Sequence, residues 1–288
     1  MLILGGLVFL LACVFGTFIA SGGNISVLMD AIPFELVSIG GAASATLLMA
    51  NSMHDVKHTL GGVGKALKGS AFKKTDYVEL LSLLFHFCKL ASSKGLMALE
   101  VHIERPNESS IFQKYPKILA NHHATAVICD YLRMMGMNAD DPYQIEDVMA
   151  RELKKTLLEE LHGAHALQTI ADALPALGIV AAVLGVIKTM SHINDPPAVL
   201  GQMIGGALVG TFLGVLLAYG VAGPIATRLK GVVEEESRYY EVIRAILVAH
   251  LHGNAPQVSI ETGRKMAPNE HMPSFQELEE AVQAVHIT

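Results

Sequence analysis

The stretch DALPALGIVAAVLGVIKTM, Asp172 to Met190, decides the fold. From Ala173 to Ile187 it carries no ionisable side chain, and Pro175 stands about one turn inside its start. A bilayer core requires ~20 residues of apolar helix whose backbone groups are satisfied within the segment. The stretch reads as a membrane-crossing helix. A span without charge is either a passive anchor or the neutral half of an ion path.

Three more apolar runs flank it. Leu2–Ala20 has no charge, Phe34–Ala50 has only Glu35 near its outer end, and Val199–Ala226 is uncharged over 28 residues. The last run would be ~42 Å long as a helix, so it must tilt or protrude. With 51% hydrophobic residues and a mean hydropathy of +0.42, the chain is too apolar for an ordinary water-soluble globule. A net charge of −6 gives no basic field for nucleic acid. The first run lacks a basic leader and reads as a retained span rather than a cleaved signal. Cys13, Cys88 and Cys129 lie far apart, which argues against a disulfide framework or a zinc site.

Charge sets the orientation. Of 21 Lys and Arg, fourteen lie between Lys57 and Lys155 and six from Arg228 onward, leaving Lys188 to snorkel. The connections Ser21–Pro33 and Asn194–Ala198 contain none. By the positive-inside rule the middle segment and both termini are cytoplasmic. The expected fold is an all-α integral membrane protein with four transmembrane helices and a large helical cytoplasmic insertion between spans 2 and 3. Its parts are a hairpin over 1–51, the insertion over 52–170, a second hairpin over 171–227, and a helical extension with tail over 228–288.

Within the insertion, Leu80, Leu83, Leu84, Phe87, Leu90 and Leu99 recur mainly at helical spacing between Asp76 and Glu104, and Pro106 closes that helix. A second helix is expected from near Ile111 to Met135. DDPYQ places Asp141 as N-cap, Pro142 at N1 and Gln144 at N3, starting a helix that continues into the third span. The fourth span continues to near Gly253. The tail from Asn254, with prolines at 256, 268 and 273, reads as mobile until Ser274 and Glu277 cap a short amphipathic helix.

In the fourth span Gly206, Gly210, Gly214, Ala218 and Ala222 recur every four residues. Such a ridge lets helix backbones approach closely, either against span 3 or between copies of the chain around an axis. Thr211 beside it offers a hydroxyl, either bonded to its own helix or lining a pore. Pro175 and Pro224 each remove a helix donor near the cytoplasmic ends of spans 3 and 4, as a paired hinge would. Spans 3 and 4 hold no Asp or Glu, so a proton carrier would need a carboxylate from a partner. No acid, base or metal cluster suggests an enzyme. GGVGKALKG lacks the spacing of a phosphate loop, and His162 and His165 lack a third ligand at a telling distance.

The segments PALGIVAAVLGVIKTM, GGALVGTFLGVLLAYGVAGPIATRLK and KGLMALEVHIE together resemble the flagellar motor stator subunit MotA. That family includes the sodium-driven PomA and is related to the ExbB and TolQ proton channel proteins. The resemblance covers nearly the whole chain. It implies an inner-membrane homo-oligomer, a pentamer in family members, around a MotB-like single-span, peptidoglycan-binding partner whose membrane Asp carries the ion. Torque would pass to a FliG-like rotor protein. By the same resemblance Pro175 and Pro224 couple ion loading to movement, and Thr211 lines the ion path. Ala182 replaces a Thr of sodium-driven members, which makes the transported ion a proton, with no cofactor or metal. Glu100 matches the acidic rotor-contact position. The basic position is Ser92 here, leaving Lys94 or Lys89 to substitute. The rival readings are an ExbB/TolQ-like channel energising the outer membrane and a non-conducting membrane scaffold.

Overall fold

The structure is a computed structural model that describes residues 2–137 and 141–283. Twelve α-helices run in chain order among the described residues: α1 Leu2–Ala20, α2 Ile25–Ala50, α3 Met53–Lys68, α4 Lys74–Lys94, α5 Glu100–Glu104, α6 Pro116–Ala120, α7 His122–Met137, α8 Pro142–Met190, α9 Pro197–Leu217, α10 Gly223–Leu251, α11 Pro256–Met266 and α12 Phe275–Gln283. Four are long and apolar enough to cross a membrane: α1, α2, α8, and α9 continued through α10. The chain forms two compact units, residues 1–69 with 160–232 and residues 70–159 with 233–288.

In the first unit, α2 packs along α9. Ile39, Ala43, Leu174, Ala181, Leu213 and Ala218 make a small core. The helix α2 starts well before the apolar run at Phe34, because the Asn24 side chain caps it by accepting from Ser26 N at 3.0 Å. Pro33 therefore lies inside a helix rather than in a loop. The helix α3 opens with a capping box between Ser52 and Asp55. It lies against α8, with Lys65 Nζ 3.3 Å from Glu160 and His162 Nδ1 3.7 Å from Asp55.

The second unit has a core of large side chains, among them Tyr77, Leu80, Phe87, Phe112, Ile128, Tyr131 and Tyr239. Phe72 stacks on Tyr239 with ring centroids 3.8 Å apart. The continuous helix expected from Asp76 to Glu104 is broken. Gly95 ends α4 with a φ of 82°, a left-handed conformation that a glycine adopts without steric cost. The helix expected from Ile111 to Met135 is also divided, since Pro116 starts the separate helix α6 and Asn121 Oδ1 caps α7 at Ala124 N. Asp141 caps α8 as anticipated, its Oδ1 accepting from Tyr143 N and Gln144 N.

Residues 255–283 are folded rather than mobile. Helices α11 and α12 both pack on α4. Buried Arg264 ties them together, donating to Pro273 O at 2.8 Å and pairing with Glu261 at 2.7 Å. Ser274 and Glu277 exchange the two bonds of a capping box.

Candidate functional site

Helices α8 and α9 cross through their glycines. A Cβ on Gly178 would fall 2.7 Å from Gly210 O and 3.1 Å from Gly214 Cα. One on Gly214 would fall 2.7 Å from Leu174 O and 2.9 Å from Gly178 Cα. Gly185 meets Ala207 in the same way, at 2.7 Å from its Cβ. The obstructing atoms at Gly178 and Gly214 are backbone and cannot move aside. Of the ridge residues, Gly210 and Gly214 are thus occupied within the chain, and Ala218 is fully buried. Gly206 turns towards α2, its nearest neighbour being Ala31 Cβ at 3.9 Å. The partners on α8 are Gly178 and Gly185, and the only sequence signal for them is that Gly178, Ala181 and Gly185 stand at helical spacing.

The two prolines differ in surroundings. Pro175 is half-buried in an unbroken α8 and follows Leu174, whose carbonyl touches Gly214. Having no N–H, it leaves the carbonyl of buried Ala171 without its intrahelical donor. Pro224 is exposed and shares a groove with Ile3, Leu7, Leu10 and Tyr219. Just before it, Ala218–Ala222 forms a π-helical turn, and Gly223 N donates five residues back to Ala218 O. A π turn beside a proline redistributes the carbonyls that the proline strands, a local irregularity often found where a helix has work to do.

Ala182 and Gly210 meet at one level of the crossing, a Cβ on Gly210 lying 3.2 Å from Ala182 N. Thr211, next along α9, is half-buried, and its hydroxyl has no hydrogen bond among the described residues. By contrast, Thr189 bonds back to Gly185 O at 2.9 Å. The same built Cβ on Gly210 lies 2.9 Å from Glu35 Oε2. A carboxyl group from α2 therefore reaches the α8–α9 crossing. The apolar run from Phe34 puts Glu35 at the outer margin of its span, whereas in α2 it lies ten residues from the helix start at Ile25.

The proposed rotor-contact residues lie in the second unit. Glu100 and Lys94 are exposed, and neither forms an ion pair among the described residues. Lys89 is half-buried and holds its ammonium over the Phe85 ring at 5.7 Å. Exposed Met97 and Val101 flank Glu100. One turn on, Glu104 pairs with Arg133 at 2.9 Å. Burial pushes His102 below the usual histidine range, and its Nδ1 lies 2.9 Å from Ser109 Oγ.

Residues 4–95 match the motility protein A N-terminal family, and residues 119–242 match the MotA/TolQ/ExbB proton channel family. The chain is 39% identical to motility protein A of Escherichia coli and 38% identical to that of Salmonella typhimurium, each over 99% of this chain and 96% of the relative. Its fold is similar to that in the structure of C. jejuni MotAB, with a TM-score of 0.74 at 19% identity over 95% of this chain and 98% of that one.

Proposed function

The chain belongs to the motility protein A family, and on that premise we propose that it is the ring-forming stator subunit of a proton-driven flagellar motor. The observation that carries this reading is the similarity to motility protein A along 99% of the chain. The match to the motility-specific N-terminal family favours a motor part over an outer-membrane energiser, since the proton channel family covers both.

The chain is a multi-pass protein of the bacterial inner membrane, with hairpins over 1–51 and 171–227 and both termini cytoplasmic. The insertion over 52–170 and the extension from 228 lie in the cytoplasm. Several copies, five by family resemblance, surround a MotB-like partner whose single span brings a carboxylate. The wall facing that carboxylate is supplied by α8, where Ile179, Val183 and Ile187 stand exposed along one side.

An ionised carboxylate against this wall loses hydration without gaining a donor, and a proton taken up from outside removes that cost. Loading therefore lets the ring and its partner move past one another. Release to the cytoplasm restores the charge and resets the contact. Each proton crossing the membrane potential contributes ~2.3 kcal/mol per 100 mV. Pro175, with its missing donor, and Pro224, beside its π turn, give the two long helices places to bend during this cycle. Glu100, with Lys94 as the basic contact, presses on the FliG-like rotor protein. Lys89 suits that role less well because its charge is already directed onto Phe85.

The test is Pro175→Ala and Pro224→Ala in cells that depend on this chain for swimming. Each variant is expected to accumulate in the membrane and retain its partner while the cells stop swimming. Unchanged swimming refutes the motor reading. Swimming in the parent is expected to end with a protonophore and to persist without sodium.

A further inference from the structure

At the Pro197 end of α9 the first unit carries an open-sided cavity of about 280 Å³, with Asp30 and Glu35 on α2, Lys188 and Thr189 on α8, and Gln202 and Gly206 on α9. Asp30, Glu35 and Lys188 are the charged groups that line it, and α9 adds only the neutral amide of Gln202. A water there needs two to four polar partners, and Asp30, Glu35, Lys188 and Gln202 line the cavity.

Glu35 is unusual among these groups. Its Oε2 is buried and has no hydrogen-bond partner among the described residues. A Cβ on residue 210 would stand 2.9 Å from this oxygen, so the glycine leaves the carboxylate room to lie against the crossing. The same cradle is bounded by Ala181 and Ala182, each 3.2 Å from that Cβ position. Glu35 thus lines a polar cavity while one of its oxygens rests in the helix crossing beside Ala182. An orphaned carboxylate oxygen is costly to bury, whereas a carboxylic acid carries no charge and brings its own O–H donor.

We propose that Glu35 is a second proton-binding site of the channel, carried by this chain rather than by the partner. It takes a proton from water in the Asp30–Lys188 cavity and holds it at the level of Ala182. A hydronium ion gives its proton to the carboxylate and leaves as water, and deprotonation restores the carboxylate with no change of oxidation state. This site deepens the proton-channel reading and rests on it.

The experiment uses the complex with its single-span partner in lipid nanodiscs. Infrared difference spectra between two pH values follow the carboxylic acid C=O stretch, and proton flux is measured in vesicles. Two protonated-carboxyl bands are expected. Glu35→Gln removes one band and slows flux, while the amide variant of the partner's membrane Asp removes the other. If Glu35→Gln leaves the spectrum unchanged while the partner's amide variant abolishes all carboxyl signal, the second site is overturned and the channel stands. If the native complex conducts no protons, the channel reading itself fails and the second site falls with it. Should Glu35→Gln not assemble, Glu35→Asp decides. It retracts the acid from the Gly210 cradle and is expected to shift one band, and an unshifted spectrum overturns the proposal.

Discussion

In the unit formed by residues 70–159 and 233–288, the largest side chains are the most hidden, with Tyr77, Phe87 and Phe112 at 0% exposure. Along the apolar half of α8 in the other unit the order is reversed. Val180 and Leu184 are each more than half exposed, at 56% and 58%, while glycines fill the contact with α9. The difference reflects two solvents. In water, burying a large apolar side chain is the main favourable term, so Phe and Tyr go inside. In lipid that term vanishes between helices, and close backbone contact through small residues takes its place. One chain follows both rules, which supports assigning its two regions to different surroundings.

Truncation of large side chains should break the symmetry most visibly. Phe112→Ala empties a fully buried site and is expected to cost about 3–5 kcal/mol. Leu184→Ala removes a side chain that the protein does not enclose and should leave stability nearly unchanged. Thermal unfolding of the purified protein in detergent measures both. An equal loss from Leu184→Ala would mean that α8 is packed in the manner of a water-soluble core.

Enlarging glycines should reverse the roles of the two residue sizes. Gly214→Ala forces a Cβ against Leu174 O and Gly178 Cα and is expected to cost about 1–3 kcal/mol, with lower accumulation in membranes. Gly64→Ala and Gly231→Ala place a methyl group in open space within helices. Those two should be neutral or stabilising by up to about 1 kcal/mol, because alanine loses less backbone entropy in a helix. Stability and membrane abundance of the three variants, measured side by side, sharpen the contrast between crossing and surface glycines.

How legible each feature was depended on whether its cause lay nearby in sequence. The long α8 could be read from Asp141 with Pro142 and from the lack of a breaker other than Pro175, all of them local signals. The break at Gly95 was obscured because Leu96 and Leu99 continue the leucine spacing on its far side. The folded tail is not legible, since what holds residues 255–283 is Ile260 and Leu278 buried in a core built from distant parts of the chain. At the site, the glycine ridge of α9 was plain, but its partner surface at Gly178 and Gly185 required pairing two helices. The apolar run starting at Phe34 puts Glu35 near the outer end of its span. The Asn24 cap moves the helix start back to Ile25 and places Glu35 ten residues inside it.

The smallest expected effect concerns a polar fastening of the second unit. Glu277 is held at a pKa of about 2, first by the Lys74 ammonium and then by the amide and hydroxyl of Ser274. An unfolded glutamate titrates near ~4.3, so the folded value is depressed and the stabilisation is complete above that pH. It disappears as pH falls from about 4.3 towards 2. A spin label at exposed Glu279, introduced as Glu279→Cys, should therefore gain mobility across that interval. Glu277→Gln should give a label already mobile at neutral pH and indifferent to acid. The glycine crossing contains no ion pair of this kind, so a label on α8 near Ile179 should show no transition in the same window. A shared transition at both positions would mean that acid loosens the whole chain rather than the α12 contact, and the contrast between a packed crossing and an ionic clasp would fail.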